Sequence, residues 1–372
     1  MESNELPVPS PKLPFEGFID PGLPSKCTWR PGTRDKDPHN HIDQHDRSHI
    51  LPSILHAIGQ TPLVRLNRIP KEEGVQCEIL AKCEFLNPGG SLKDRIGFRM
   101  VEEAEAEGRL KPGCTLVEPT SGNTGVGIAM AAAVKGYKCI IVMSQKMSNE
   151  KVYTLQALGA EVVRTPISSG SYAPDGLMAK AQLIAKDIPD AVVLDQYRNK
   201  GNPLAHYDGT AREIMRQCEG RLDAVVIGTG TGGTIAGIGR YFKDHAPHVR
   251  VVGVDPYGSI LALPKELNNS DTDYYDVEGI GYDFIPTVID RNVVDEWIKM
   301  GDKEAFTMAR RLIRDEGLLC GGSSGTAVCG ALKYAKSLDA SKRVVVILPD
   351  NVRNYLTKFL SDDWMRERNF ID

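Results

Sequence analysis

The chain has 372 residues, roughly two and a half units at about 150 residues per domain, with 45 Lys and Arg against 49 Asp and Glu and a net charge of −4. That near balance lacks the basic face with which nucleic-acid binders neutralise phosphates. No apolar run approaches the about 18 residues of a membrane span, and the Met-Glu-Ser-Asn-Glu start has no apolar segment of the secretory kind.

Residues 1–50 carry eight prolines between positions 7 and 38 and no sustained periodicity, the composition of an irregular arm. Cys27, His39, His41, His45 and His49 cluster there. From about residue 60 short apolar runs alternate with helical patterns. Strands are predicted over 114–118, 138–143, 161–164, 222–227, 249–254 and 343–348. Helices are predicted over 124–135, 149–158, 234–243 and 324–335. Alternation of this kind implies βαβ units and mainly parallel sheets covered on both faces. The stretch 256–290 is loop-rich, as a mobile element near a site would be. The eight cysteines (27, 77, 83, 114, 139, 218, 320, 329) are scattered, with no Cys-x-x-Cys, which suits reduced thiols in a cytoplasmic protein.

Three glycine-rich loops each run into a predicted helix: Thr120-Ser121-Gly122-Asn123-Thr124-Gly125, Gly228 to Thr234, and Gly321-Gly322-Ser323-Ser324-Gly325. Glycine lets the backbone turn tightly and lets a ligand approach its amides, and the helix start adds unpaired N–H groups. A phosphate or carboxylate is the natural guest. Gly228-x-Gly230-x-x-Gly233, with Asp255 ending the next strand, also fits a dinucleotide fingerprint and its ribose acid. A tight turn with no ligand is the plainer reading of the same loop.

A fourth segment, Asn87-Pro88-Gly89-Gly90-Ser91-Leu92-Lys93-Asp94-Arg95, places a lysine just inside a helix start. Helix starts favour anions, so an ammonium there is misplaced. Either Lys93 pairs with Asp94 as a surface residue, or its pKa is lowered and it serves as a Schiff-base amine and proton carrier.

Ser91 to Arg95, Thr120 to Gly125, Gly230-Thr231-Gly232-Gly233-Thr234 and Gly321-Gly322-Ser323 resemble the pyridoxal-phosphate enzymes of fold type II. Asp195 to Asn199, Asn202 to Tyr207, Glu278 to Phe284 and the ending Val346 to Asp350 through Phe359 to Asp362 resemble the eukaryotic, in particular animal, cystathionine β-synthases. The resemblance covers about residues 15–372. It implies a two-lobed α/β fold, tryptophan synthase β-like. Residues 1–50 would form an arm, 51–85 with 200–372 a large cofactor-binding lobe, and 86–199 a small lobe.

Residue roles follow by matching motif. Lys93 resembles the Schiff-base lysine, Asn123 the partner of the cofactor's 3′ oxygen, and Gly230, Thr231, Gly232, Gly233 and Thr234 the phosphate cup. Ser323 resembles the partner of the pyridine nitrogen. Thr120, Ser121 and Asn123 would hold the substrate carboxylate, and Tyr197, Gly279 and Tyr282 would border the substrate, unless the tyrosines are core aromatics and Thr120 and Ser121 mere helix caps. The implied reaction condenses L-serine with L-homocysteine to L-cystathionine and water, with hydrogen sulfide from cysteine as a side activity, in a cytoplasmic homodimer. A cysteine synthase using O-acetylserine and sulfide would share the fold. A nicotinamide oxidoreductase built on Gly228 to Gly233 is the more distant alternative.

Pro24 to Trp29 with Pro38-His39 resembles the haem-binding arm of the animal enzymes. Cys27 and His39 would be the axial ligands of haem b, with His41 the alternative to His39, and Arg240 the ion-pair partner of the Cys27 thiolate. Zinc among Cys27, His39, His41 and His45 is the rival, without a strong zinc spacing. Two departures stand out. Asp244-His245-Ala246-Pro247-His248 replaces a Cys-x-x-Cys found in animal members, and the chain ends at Asp372 where family members continue into paired regulatory modules. A response to S-adenosylmethionine is not assigned to these residues.

Overall fold

The computed structural model describes residues 13–22, 24–25, 27–33, 39–41, 48–167, 170 and 172–372. Pro38 and His45 of the arm lie outside the described residues. In chain order the elements are β1 (Leu63–Arg65), α1 (Ile69–Glu72), β2 (Glu78–Cys83), α2 (Lys93–Ala106), β3 (Thr115–Pro119), α3 (Asn123–Lys135), β4 (Lys138–Ser144), α4 (Asn149–Ala157), β5 (Glu161–Thr165), α5 (Leu177–Asp187) and β6 (Ala191–Val193). They continue with α6 (Gly201–Ala205), a π-turn (His206–Ala211), α7 (Arg212–Gln217), β7 (Ala224–Gly228), α8 (Gly233–His245), β8 (Arg250–Pro256), β9 (Glu296–Met300), α9 (Asp302–Glu316), α10 (Gly322–Ala335), β10 (Arg343–Leu348) and α11 (Asp362–Glu367).

Two sheets result. The larger has the order β1-β2-β10-β7-β8-β9, and the smaller β5-β4-β3-β6. Only β1 runs antiparallel to its neighbour. Central strands need apolar side chains on both faces because helices cover both. Val344 to Leu348 and Val225 to Ile227 meet that demand and are buried throughout.

The two lobes meet where their strands end. Thr120 follows β3, the Gly228 loop follows β7, and Pro349-Asp350 follows β10, all at carboxyl ends, where parallel sheets bind ligands. Close helix contact brings Lys93 to this junction. A Cβ on Gly97 of α2 would fall 2.6 Å from the carbonyl carbon of Gly127 in α3, and one on Gly127 would fall 2.7 Å from the Lys93 carbonyl oxygen. Only glycine at both positions lets α2 lie directly against α3. The segment 256–290, read as loop-rich, holds beyond the end of β8 only a short 3-10 turn at Lys265–Asn268.

Candidate active site

A cleft at the lobe junction is lined by Leu92, Lys93, Ser121, Asn123, the loop from Gly228 to Gly232, Thr234, Gly279, Ile280, Ser323 and Pro349. Residues from all four sequence segments thus share one space. Lys93 opens α2 and is half-buried. Burial lowers its amine to about 8, against the charge of Asp350, which favours the ammonium. The alternative Lys93–Asp94 surface pair is not formed. Asp94 is fully buried and accepts the Gly89 N–H at 2.6 Å, and burial raises its carboxyl to about 7.

The loop after β7 is a cradle that larger residues would fill. A Cβ on Gly230 would lie 2.4 Å from the Gly279 carbonyl oxygen, and one on Gly233 1.9 Å from Asn202 Oδ1. Gly232 adopts φ +87, left-handed backbone suited to glycine, and its Cβ would strike Ile289. α8 starts at this loop, so its first amides and its dipole join the Thr231 and Thr234 hydroxyls around an anion. No lysine or arginine lies within the loop. Gly279, at φ +88, lies over it, and the Gly281 N–H donates to the Thr229 carbonyl at 2.8 Å. The amine, the carboxamide of Asn123, the hydroxyl of Ser323 and the cradle together fit an aromatic aldehyde carrying a phosphate.

Asn123 begins α3, where its Nδ2 donates to Asp350 Oδ2 at 2.8 Å and its Oδ1 accepts from Asn354 Nδ2 at 3.2 Å. Ser121 reaches the cleft. Thr120 does not line it; it is buried, its Oγ1 accepts the Gly122 N–H at 3.1 Å, and its own N–H donates to Val142. Tyr197 and Tyr282 do not line it either. Their hydroxyls meet at 3.2 Å, and their rings pack edge-on in an apolar cluster with Phe18, Tyr172 and Phe284. The polar ends of the two rings thus satisfy each other.

The dinucleotide alternative loses its acid. Asp255 is fully buried at the end of β8, and its carboxylate accepts from Lys299 Nζ at 2.7 Å, so no ribose reaches it.

Several further polar residues around the cleft have no role assigned by motif. Asn202 and His206 sit behind the cradle, with Asn202 Nδ2 3.0 Å from Thr231 Oγ1 and His206 Nε2 3.2 Å from Thr234 Oγ1. Lys151 of α4 and Glu278 form a buried ion pair at 2.7 Å across the lobes. Burial alone would raise Glu278, but Lys151 and Lys358 together hold its carboxyl below the usual range.

A second cavity, of about 770 Å³, lies beside the arm. Its walls include Cys27, Trp29, His39, Leu204, Gly237 and Arg240. Cys27 Sγ faces His39 Nε2 at 3.8 Å, and Arg240 Nη1 stands 3.5 Å from the same sulfur while the guanidinium also pairs with Asp290. His41 also borders the cavity, but its Nδ1 is held by Asp208. Among the described residues no group of three or more His, Cys, Asp or Glu side chains converges as a metal cage. A sulfur and an imidazole nitrogen facing each other would suit a haem iron better than a zinc site, for which no further ligand converges among the described residues.

The profile of the pyridoxal-phosphate dependent enzymes matches residues 54–350. The chain is similar to the cystathionine beta-synthase of Apis mellifera, 58% identical over 354 residues, which are 95% of this chain and 70% of that protein. It is 56% identical over 370 residues to that of Oryctolagus cuniculus, covering 99% of this chain and 67% of that one. The chain thus spans about two thirds of the length of these relatives. Among solved structures, an O-acetylserine dependent cystathionine beta-synthase from Helicobacter pylori superposes with a TM-score of 0.77 at 38% identity, over 83% of this chain and 98% of that one. A hydrogen sulfide-producing enzyme from Fusobacterium nucleatum does so with a TM-score of 0.77 at 37% identity, over 82% of this chain and 100% of that one.

Proposed function

The chain belongs to the pyridoxal-phosphate-dependent enzymes, among the cystathionine β-synthases, and from that premise we propose that it condenses L-serine with L-homocysteine, releasing L-cystathionine and water. Its fold is that of fold type II. The observation that carries the proposal is the convergence of Lys93, Asn123, Ser323 and the Gly230 to Thr234 cradle in one cleft.

Bound pyridoxal phosphate supplies the electron sink that makes the α-proton of an amino acid removable. Lys93 is the residue that holds the cofactor and, once released from it, takes the proton from serine Cα and later returns it. Its lowered pKa keeps enough free amine for that task near neutral pH. Gly230, Thr231, Gly232, Gly233 and Thr234 hold the phosphate, and Asn123 the ring 3′ oxygen. Ser121 and Asn123 receive the substrate carboxylate, with Thr120 fixing the turn beneath them. Ser323 is the partner of the ring nitrogen. A hydroxyl there would leave that nitrogen largely unprotonated, a setting that would favour loss of the β-substituent over transamination. Gly279 borders the substrate, and Tyr282, three residues on, brings Tyr197 with it through their hydroxyl contact. The homocysteine thiolate then adds at the β-carbon. With cysteine in place of serine the same course releases hydrogen sulfide.

The arm is proposed to hold one haem b through Cys27 and His39. The facing sulfur and ring nitrogen, the cavity between arm and body and the Arg240 guanidinium beside the thiolate support this. The resemblance also implies a cytoplasmic homodimer. Among the described residues no helix is long and apolar enough to cross a membrane.

The Helicobacter pylori relative makes O-acetylserine the competing substrate. Purified protein given serine plus homocysteine should form cystathionine with a higher kcat/KM than it forms cysteine from O-acetylserine plus sulfide. A clear preference for the second pair would move the chain to the cysteine synthases.

A further inference from the structure

Asn202 and His206 lie four residues apart, across α6 and the first position of the π-turn, and both are 0% exposed. Each touches one hydroxyl of the cradle. Asn202 Nδ2 donates to the Gln196 carbonyl at 2.8 Å, and a carbonyl only accepts, so the amide orientation is fixed. Its second proton goes to Thr231 Oγ1 at 3.0 Å. A threonine hydroxyl has one proton. Thr231 Oγ1 accepts from behind, which leaves that proton free to turn into the cleft Thr231 lines.

His206 poses the same question with two answers. Its Nδ1 is 2.9 Å from Thr210 Oγ1 and its Nε2 is 3.2 Å from Thr234 Oγ1. Burial, together with the Arg95 and Lys93 cations, holds the imidazole neutral, so one ring nitrogen carries the only proton. With the proton on Nε2, Thr210 donates to Nδ1, the ring donates to Thr234, and Thr234 donates into the cleft. With the proton on Nδ1, Thr234 must donate backwards and would present lone pairs to an anion.

We propose that Asn202 and His206 are positioning residues that turn both threonine hydroxyls of the cradle into donors to a phosphate dianion, with His206 in its Nε2–H tautomer. The proposal rests on reading Gly230 to Thr234 as the phosphate cup. It explains how a loop with no cation of its own holds a doubly charged group: helix-start amides and two hydroxyls do so, and the hydroxyls are aimed by side chains that never touch the cofactor. The close fit of loop to amide, with no room for a Cβ at Gly233 beside Asn202, keeps that aim fixed.

The test uses the full-length chain loaded with pyridoxal phosphate or with pyridoxal, which lacks the phosphate. Dissociation constants of both and the phosphorus NMR signal of the bound phosphate are compared in Asn202→Asp, His206→Leu, His206→Gln and Thr231→Val. Asn202→Asp reverses the donor at nearly constant shape, and His206→Gln keeps an N–H donor toward Thr234. Asn202→Asp and His206→Leu should each weaken pyridoxal phosphate by about 10- to 100-fold, the loss of one charge-assisted hydrogen bond, and leave pyridoxal within about twofold. Both should shift the phosphorus signal, and His206→Gln should restore most of the affinity. Equal losses for both ligands, or no rescue by Gln, would make the two residues merely structural and overturn the proposal. Unchanged affinity and signal in the Asn202 and His206 variants, with Thr231→Val weakened, would overturn it too. If Thr231→Val is also unaffected and the wild type binds both ligands alike, the phosphate-cup reading itself falls.

Discussion

Asn123 and Asp350 join the two lobes, the carboxamide of one donating to the carboxylate of the other at 2.8 Å. The Tyr355 hydroxyl donates to the same oxygen, and burial raises the Asp350 carboxyl above the usual range. One carboxylate therefore both locates Asn123 and sets the charge felt by Lys93.

This pairing makes cofactor capture pH-dependent. Only the free amine bonds a carbonyl, so the rate of loading pyridoxal phosphate onto stripped protein should rise with pH through about 8 and then level off. The Asp350 charge favours the ammonium, so Asp350→Asn should move the midpoint to lower pH while keeping an acceptor for Asn123. Stopped-flow absorbance across pH 6 to 10, roughly spanning the shifted and ordinary lysine ranges, checks both. A midpoint at the ordinary lysine value would contradict the lowered amine.

Borohydride treatment of the loaded enzyme followed by peptide mapping should place the cofactor on Lys93 and on no other lysine. Lys93→Ala should retain cofactor in the cradle and lose turnover by about 10²- to 10⁴-fold, the usual worth of a positioned acid–base group. Labelling at a different lysine would refute the assignment.

Ser323→Asp should leave cofactor content unchanged and reduce β-replacement by about 10²-fold or more, in the range of removing one preorganised polar partner. A carboxylate would stabilise the protonated form of the ring nitrogen and so shift the balance away from β-elimination. Near-normal cystathionine formation would mean that Ser323 does not face that nitrogen.

For the arm, iron analysis and a Soret band of a low-spin thiolate haem are expected in protein expressed with ample haem. Cys27→Ala and His39→Ala should each alter that band, whereas His41→Ala should leave the ligand set intact. Carbon monoxide should bind the ferrous form only after displacing a ligand, most readily Cys27. Deleting residues 1–45 should abolish the haem and spare cofactor binding. The deletion also removes buried Phe18 from the cluster around Tyr197, at a cost of about 3–5 kcal/mol in stability, and the Asn40 and His41 contacts to Arg99 and Asp208. Zinc in place of iron, or loss of pyridoxal phosphate on deletion, would count against this account.

Much of this was legible in the sequence because glycine and strand patterns are local. The elements 138–143, 149–158 and 343–348 were placed to within a residue or two by periodicity and by the glycines that stop the helices. Lys93 and the three loops could be found because each is a short motif with its own chemistry. Asn202, His206, Glu278 and Asp350 fall inside the quoted blocks, but their roles, and that of Lys151, could not be read there. They act through partners 28 to 227 residues away, and nothing beside an isolated buried polar residue marks what it will meet.

The Asp255–Lys299 pair has a consequence for how this chain can change. Its Gly228 to Gly233 rhythm is one that also serves nucleotide enzymes, yet substitutions within the loop could not convert it. The acid that would greet a ribose is locked under β9 by a lysine 44 residues away, which also donates to the Ser259 carbonyl. Removing that lysine would strand a buried carboxylate and leave the 259 turn without its donor, a strongly destabilising step. The neighbouring strand, and not the glycine loop, therefore guards the boundary between the two chemistries.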